Sequence, residues 1–189
     1  MKTTETYTKS GAGTRVEKAK ARGTAQKEPF MKPEPQKEHE WLQKLVGEWT
    51  FEGEVTMEPG KGPEKFTGTE TVRPLGDYWI LIDCQSKMAS GSETMAIVIG
   101  FDPQKKRFVG AYIASMMPQL WIYDGSLNAD EKVLTLNTEG PDMTAEGKMT
   151  QFKDVMEIKS DNERELTSQM LGDDGDWHEV VTIHYRREK

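Results

Sequence analysis

The segment Gly47-Glu48-Trp49-Thr50-Phe51-Glu52-Gly53-Glu54-Val55-Thr56-Met57 alternates large or apolar residues with polar ones. Successive side chains of a strand point to opposite faces, so Trp49, Phe51, Gly53, Val55 and Met57 share one face, and Thr50, Glu52, Glu54 and Thr56 the other. One face is buried and the other wet. Immediately upstream, Trp41, Leu42, Leu45 and Val46 fall on one helical stripe that ends at Gly47, which predicts a short amphipathic helix over 39–46. That helix is expected to lead the chain into the first strand and to plug one end of a barrel.

Downstream of Gly47 the chain breaks into short strand-like runs separated by turn-forming residues. Strands are predicted over 49–57, 65–74, 78–88, 94–101, 107–115, 119–123, 132–137, 149–159, 165–171 and 177–186. The joints, among them Pro59-Gly60-Lys61-Gly62-Pro63, Gly76-Asp77, Asp102-Pro103, Gly140-Pro141-Asp142 and Gly172-Asp173-Asp174-Gly175, are rich in glycine, proline and aspartate. None is long enough for a crossover helix, so neighbouring strands should pair antiparallel as a meander. Ten is an even count, which lets the last strand close on the first with an antiparallel seam and removes both sheet edges. The fold class read from the sequence is therefore all-β, an up-and-down barrel of about ten antiparallel strands with one short N-terminal helix.

Composition divides the chain of 189 residues in two. Within the first 29 residues Tyr7 and Val16 are, beyond Met1, the only large apolar side chains, too few to offset the entropy of ordering. With Pro29, Pro33 and Pro35, residues 1–36 read as a disordered tail and stiff spacer, and residues 37–189 as one domain. Residues 1–40 carry nine Lys/Arg against six Asp/Glu, whereas residues 41–189 carry sixteen against twenty-six. A domain so acidic repels phosphate backbones, which argues against nucleic acid as a partner. Cys84 is the single cysteine, so a disulfide or a multi-cysteine zinc site within the chain is excluded, and its strand position predicts an inert buried thiol. No apolar run reaches membrane-spanning length, and the N-terminus lacks the apolar core of a secretory signal, so a cytoplasmic location is expected.

Together, Gly47-x-Trp49, the ten-strand meander and the phrases Gly100-Phe101-Asp102-Pro103, Phe108-Val109-Gly110-Ala111-Tyr112-Ile113 and Ser115-Met116-Met117-Pro118 resemble bacterial domain-of-unknown-function family 1579, a relative of the calycin barrels. The resemblance spans residues 37–187. It implies that Gly47 and Trp49 mark a closed barrel end, with the indole packed under a basic side chain of the last strand, either Arg186 or Arg187. The chain departs from the calycin branches in some places. Only a short turn stands where fatty-acid-binding relatives insert two lid helices, and no helix is expected after the last strand. The ten-stranded nitrobindin branch is closest in outline but carries a second glycine where this chain has Phe51. Its haem chemistry implies His184 or His178 as a proximal ligand, making haem the one cofactor that the resemblance suggests.

A ten-stranded barrel is wider than the eight strands that side chains just fill, so an internal cavity is expected. Eleven methionines supply adaptable apolar lining. Tyr112, Met117, Trp121 and Tyr123 are the first candidates for a ligand-binding wall, since aromatic rings with a polar tip orient a ligand; alternation is expected to turn some of them outward. Glu70 and Asp83 are candidates for an inward carboxylate of raised pKa, the requirement for an acid–base enzyme of the cyclase or hydratase kind. His178 and His184, six residues apart on one strand, are expected to share a face at a separation of roughly 20 Å, too far to ligate one metal. No metal site and no catalytic residue is assigned, because nucleophile, P-loop and dinucleotide motifs are missing and Gly172-Asp173-Asp174-Gly175-Asp176 lacks the spacing of a calcium loop. The expected activity is binding of a small lipophilic molecule inside the barrel.

Overall fold

Strand β1 (Gly47–Val55) pairs antiparallel on both sides, with β2 (Glu64–Leu75) and with β10 (Trp177–Arg187), so no free sheet edge remains. Between them run β3 (Trp79–Met88), β4 (Gly91–Asp102), β5 (Arg107–Ala114), β6 (Met117–Leu127), β7 (Val133–Pro141), β8 (Met149–Ser160) and β9 (Glu163–Leu171), each paired with its neighbour in sequence. The computed structural model describes residues 32–56 and 62–189. Residues 1–31 of the tail and spacer expected over 1–36, Met57 and most of the first turn lie outside them. All ten expected strands are present in the expected order, and the calycin-like closed barrel is the architecture observed. Strands β4, β6 and β7 are longer than their apolar runs suggested. Their polar ends, such as Asp124 and Glu139, sit at outward positions that cost nothing in water.

Helix α1 (Lys37–Gln43) covers the end of the barrel where β1 begins and β10 ends. It buries Trp41, Leu42 and, just beyond its last turn, Leu45 to 1% exposure or less, which fills that end with apolar surface. The ring nitrogens carried in with them are matched, while the buried Nε2 of Gln43 has no hydrogen-bond partner. Trp41 Nε1 donates to the carbonyl of Glu131 at 2.7 Å. His39 Nδ1 accepts the Gln36 N–H at 2.8 Å, which places the ring proton on Nε2, where it is donated to the Phe101 carbonyl at 3.1 Å.

The chain leaves the helix through Gly47, whose φ of +141° disfavours any side chain. A Cβ built there would also sit 2.4 Å from Nη1 of Arg187. That guanidinium donates to three carbonyls, Nε to Asp161 at 2.8 Å, Nη1 to Val46 at 2.5 Å and Nη2 to Lys44 at 2.7 Å. Its plane lies 4.1 Å from the Trp49 ring, a contact worth about 0.5–2 kcal/mol. Trp49 Nε1 in turn donates to Leu45 O at 2.9 Å. Of the two arginines that the sequence left open, Arg187 is therefore the partner of Trp49, while Arg186 is exposed on the outer face.

Gly47→Ala is expected to cost about 1–3 kcal/mol in urea unfolding, from a strained φ and a displaced guanidinium. In an Arg187→Ala background the same substitution should cost less, because only the backbone strain remains. Equal costs in both backgrounds would show that Gly47 and Arg187 act independently.

Candidate functional site in the barrel lumen

On β2, β4 and β5 burial of the inward-facing side chains falls from the helix-plugged end towards the opposite end, whereas on β1, β8 and β9 Val55, Phe152 and Met170 at that opposite end are buried. Along β4, Ile99 and Phe101 are buried, at 1% and 8%, but Ile97 and Met95 are only partly buried. The same gradient runs from Phe108 to Tyr112 on β5 and from Val72 to Phe66 on β2.

Four expected ligand-wall residues line the half of the lumen away from the plug. Met117, Trp121 and Tyr123 are evenly spaced on β6, and Trp121 lies directly opposite Tyr112 of β5. All four consequently face inward, which corrects the expectation that alternation would turn some of them out. Trp121 Nε1 donates to Met117 Sδ at 3.0 Å, and its ring meets Phe152 edge-on at 5.0 Å. The indole fits because residue 140 is glycine; a Cβ there would lie 2.0 Å from the ring. Tyr123 is buried deeper, and its hydroxyl donates to Asp154 Oδ2 at 2.5 Å.

The wall also contains two polar centres. Glu70, 3% exposed, is ion-paired with Arg164, 2% exposed, at the plugged end of the lumen. The Arg164 guanidinium lies 4.0 Å from the Tyr185 ring and 4.7 Å from Trp49, so the indole is held between two arginines. Its Nε has no hydrogen-bond partner. Burial pushes the Glu70 carboxyl above its usual range, and the charge and hydrogen bond of Arg164 pull it back. Burial and the Glu70 charge together push the Cys84 thiol up to about 12, which keeps it protonated and inert.

Asp154 of β8 is the second centre. Its carboxyl is raised by burial against the opposing hydrogen bonds from Tyr123 and Ser168. Among the described residues no lysine, arginine or histidine lies within ion-pairing distance of it. Neither Asp154 nor Arg164 was singled out from the sequence. The signal for Asp154 was present, since Thr150, Phe152, Asp154, Met156 and Ile158 share one strand face. Arg164 fell one residue before the predicted start of its strand.

Several other expected residues face away from the lumen. Asp83 is exposed on the outer face and pairs with Arg73 at 3.4 Å, so the inward carboxylate on that strand is not found. A bulge between Glu179 and Val181 breaks the alternation of β10, so His178 and His184 do not share a face. His184 stands opposite Glu165 on the outside and contacts its carboxylate at 3.1 Å. His178 sits at the mouth, half exposed and bound to both oxygens of Asp174 at 2.9 and 3.0 Å. His184 thus faces away from the lumen, whereas His178 stands opposite inward-facing Met170 with its ring engaged by Asp174.

A family model described as protein of unknown function (DUF1579) matches residues 34–187. No curated protein matches the chain. Among solved structures, Rv2717c from M. tuberculosis aligns with a TM-score of 0.54 at 12% identity, over 82% of this chain and 100% of its own. The S-type phycobiliprotein lyase CPES from Guillardia theta aligns with a TM-score of 0.53 at 11% identity, over 79% of this chain and 92% of its own. Likeness at such identities shows a common barrel fold and no more.

Glu70→Ala is expected to destabilise the barrel by about 3–5 kcal/mol in urea, because it strands a buried guanidinium. Glu70→Leu combined with Arg164→Met should recover most of that loss; a double variant as unstable as the single one would contradict the ion-pair account. The raised carboxyl of Asp154 keeps its proton longer in the folded chain than in the unfolded one. Its contribution to stability is therefore fully present below the ordinary aspartate pKa and lost as pH rises towards the folded value. The stability difference between wild type and Asp154→Asn should move in favour of the variant as pH climbs from 3 to 8, measured by thermal unfolding.

Proposed function

We propose that this chain, which belongs to the DUF1579 family, binds a small, largely apolar molecule in the half of its barrel away from the plug. The observation that carries the reading is partial exposure at inward positions: Tyr112, Trp121, Met95 and Ile97 point into a closed barrel yet keep solvent contact. Surface of that kind is left unburied by the protein itself and gains about 25 cal/mol per Å² when a ligand covers it. The aromatic faces and the Met117 thioether supply adaptable apolar contact, and the hydroxyl of Tyr112 supplies a point of orientation. Glu70 is committed to Arg164, which argues against its use as an acid–base catalyst and for a binding role of the lumen.

Native mass spectrometry of protein purified without detergent should show a discrete adduct. Titration with the neutral dye N-phenylnaphthylamine is the second arm. Trp121→Ala should weaken dye binding by about tenfold or more in a variant that still unfolds cooperatively. Dye binding equal in wild type and variant, together with a clean apo mass, would overturn the lumen reading.

A further inference from the structure

We infer that the molecule held in the lumen carries a positively charged amino group that docks on Asp154, an inference that rests on the lumen-binding reading above. The lumen is not electrically balanced by its own side chains. Its cation, Arg164, is taken by Glu70 and packed between two rings at the plugged end, out of reach of a ligand in the other half. Asp154 is left with neutral donors only, the hydroxyls of Tyr123 and Ser168. A half-buried carboxylate held by neutral donors gains most from an arriving cation, because charge-assisted hydrogen bonds are about twice as strong as neutral ones.

The surroundings favour the same charge. Tyr123, which holds Asp154, shares the inward face of β6 with Trp121, and Trp121 stands opposite Tyr112, so aromatic faces border the docking point. Such faces attract ammonium groups and repel anions. The route inward is acidic as well. Two turns over the mouth, 142–148 and 172–176, carry Asp142, Glu146, Asp173, Asp174 and Asp176 against a single lysine, Lys148. That lysine is itself tied to Asp142 at 3.3 Å and to Asp173. Exposed charges of one sign at an opening raise the local concentration of the opposite ion and speed its approach. The ligand class this describes is a compact aromatic or aliphatic amine rather than a fatty acid.

The test is calorimetric titration of the full chain at pH 7 with three probes of matched apolar size: naphthylmethylamine, naphthylmethanol and naphthoate. The amine is expected to bind about tenfold or more tightly than the alcohol, with naphthoate weakest. Asp154→Asn should remove the preference for the amine while leaving the alcohol's affinity within about twofold, which also shows that the variant is folded. Equal binding of amine and alcohol by the wild type, tightest binding of naphthoate, or an amine preference that survives Asp154→Asn would each overturn the inference and leave the lumen reading standing. Failure of all three probes to bind would overturn both.

Discussion

Arg187 ties the barrel to its plug. It ends the strand that closes the sheet onto β1, and its fork holds carbonyls from the helix exit and from the β8–β9 turn. Two of those carbonyls, Lys44 and Val46, lie where the chain changes from helix to strand and have no partner in a regular helix ladder. Trp49 lies beneath the same guanidinium and donates back to the helix exit, so seam, plug and first strand are held at one point. Gly47 follows from this geometry, since any side chain there would occupy the position of Arg187 Nη1.

That closed end determines where function can reside. The plug covers one end of the lumen, and the Glu70–Arg164 pair with the Trp49 and Tyr185 rings forms its floor. Burying such a pair is costly unless its geometry is good, and replacing it with apolar groups is often neutral or stabilising. Its presence shows that the interior is not built as a purely apolar core. With the charges of the floor paired to each other, the other half contains Asp154, which has only neutral donors, and the partly exposed rings of Tyr112 and Trp121. Unspent interactions of this kind are what a binding site requires.

The readability of the sequence varied with the contrast between strand faces. In β1 the faces differ sharply, and its inward residues Trp49, Phe51, Gly53 and Val55 are all buried, as alternation foretold. In β3 to β6 both faces are apolar. Leu81, Val98, Ala111 and Ile122 form one cross-strand row on the outside, and Ile122 remains 59% exposed. Hydrophobicity carries no sign of direction there, which is why the facing of the Tyr112–Tyr123 cluster could not be read in advance. The bulge in β10 reversed the relation between His178 and His184 in the same way, since a single extra residue inverts every following side chain.

The sequence by itself determined the class of fold, the number and order of strands, the plugging helix and the closed-end motif. These depend on the period of apolar residues and on turn chemistry, which act over a few residues at a time. Only the tertiary structure decided that Arg187 rather than Arg186 covers Trp49, that Glu70 meets Arg164 across 94 residues of chain, and that Tyr123 reaches Asp154 across 31. Such pairings depend on register accumulated around a closed sheet, where one bulge shifts every later partner, and no local pattern records that sum.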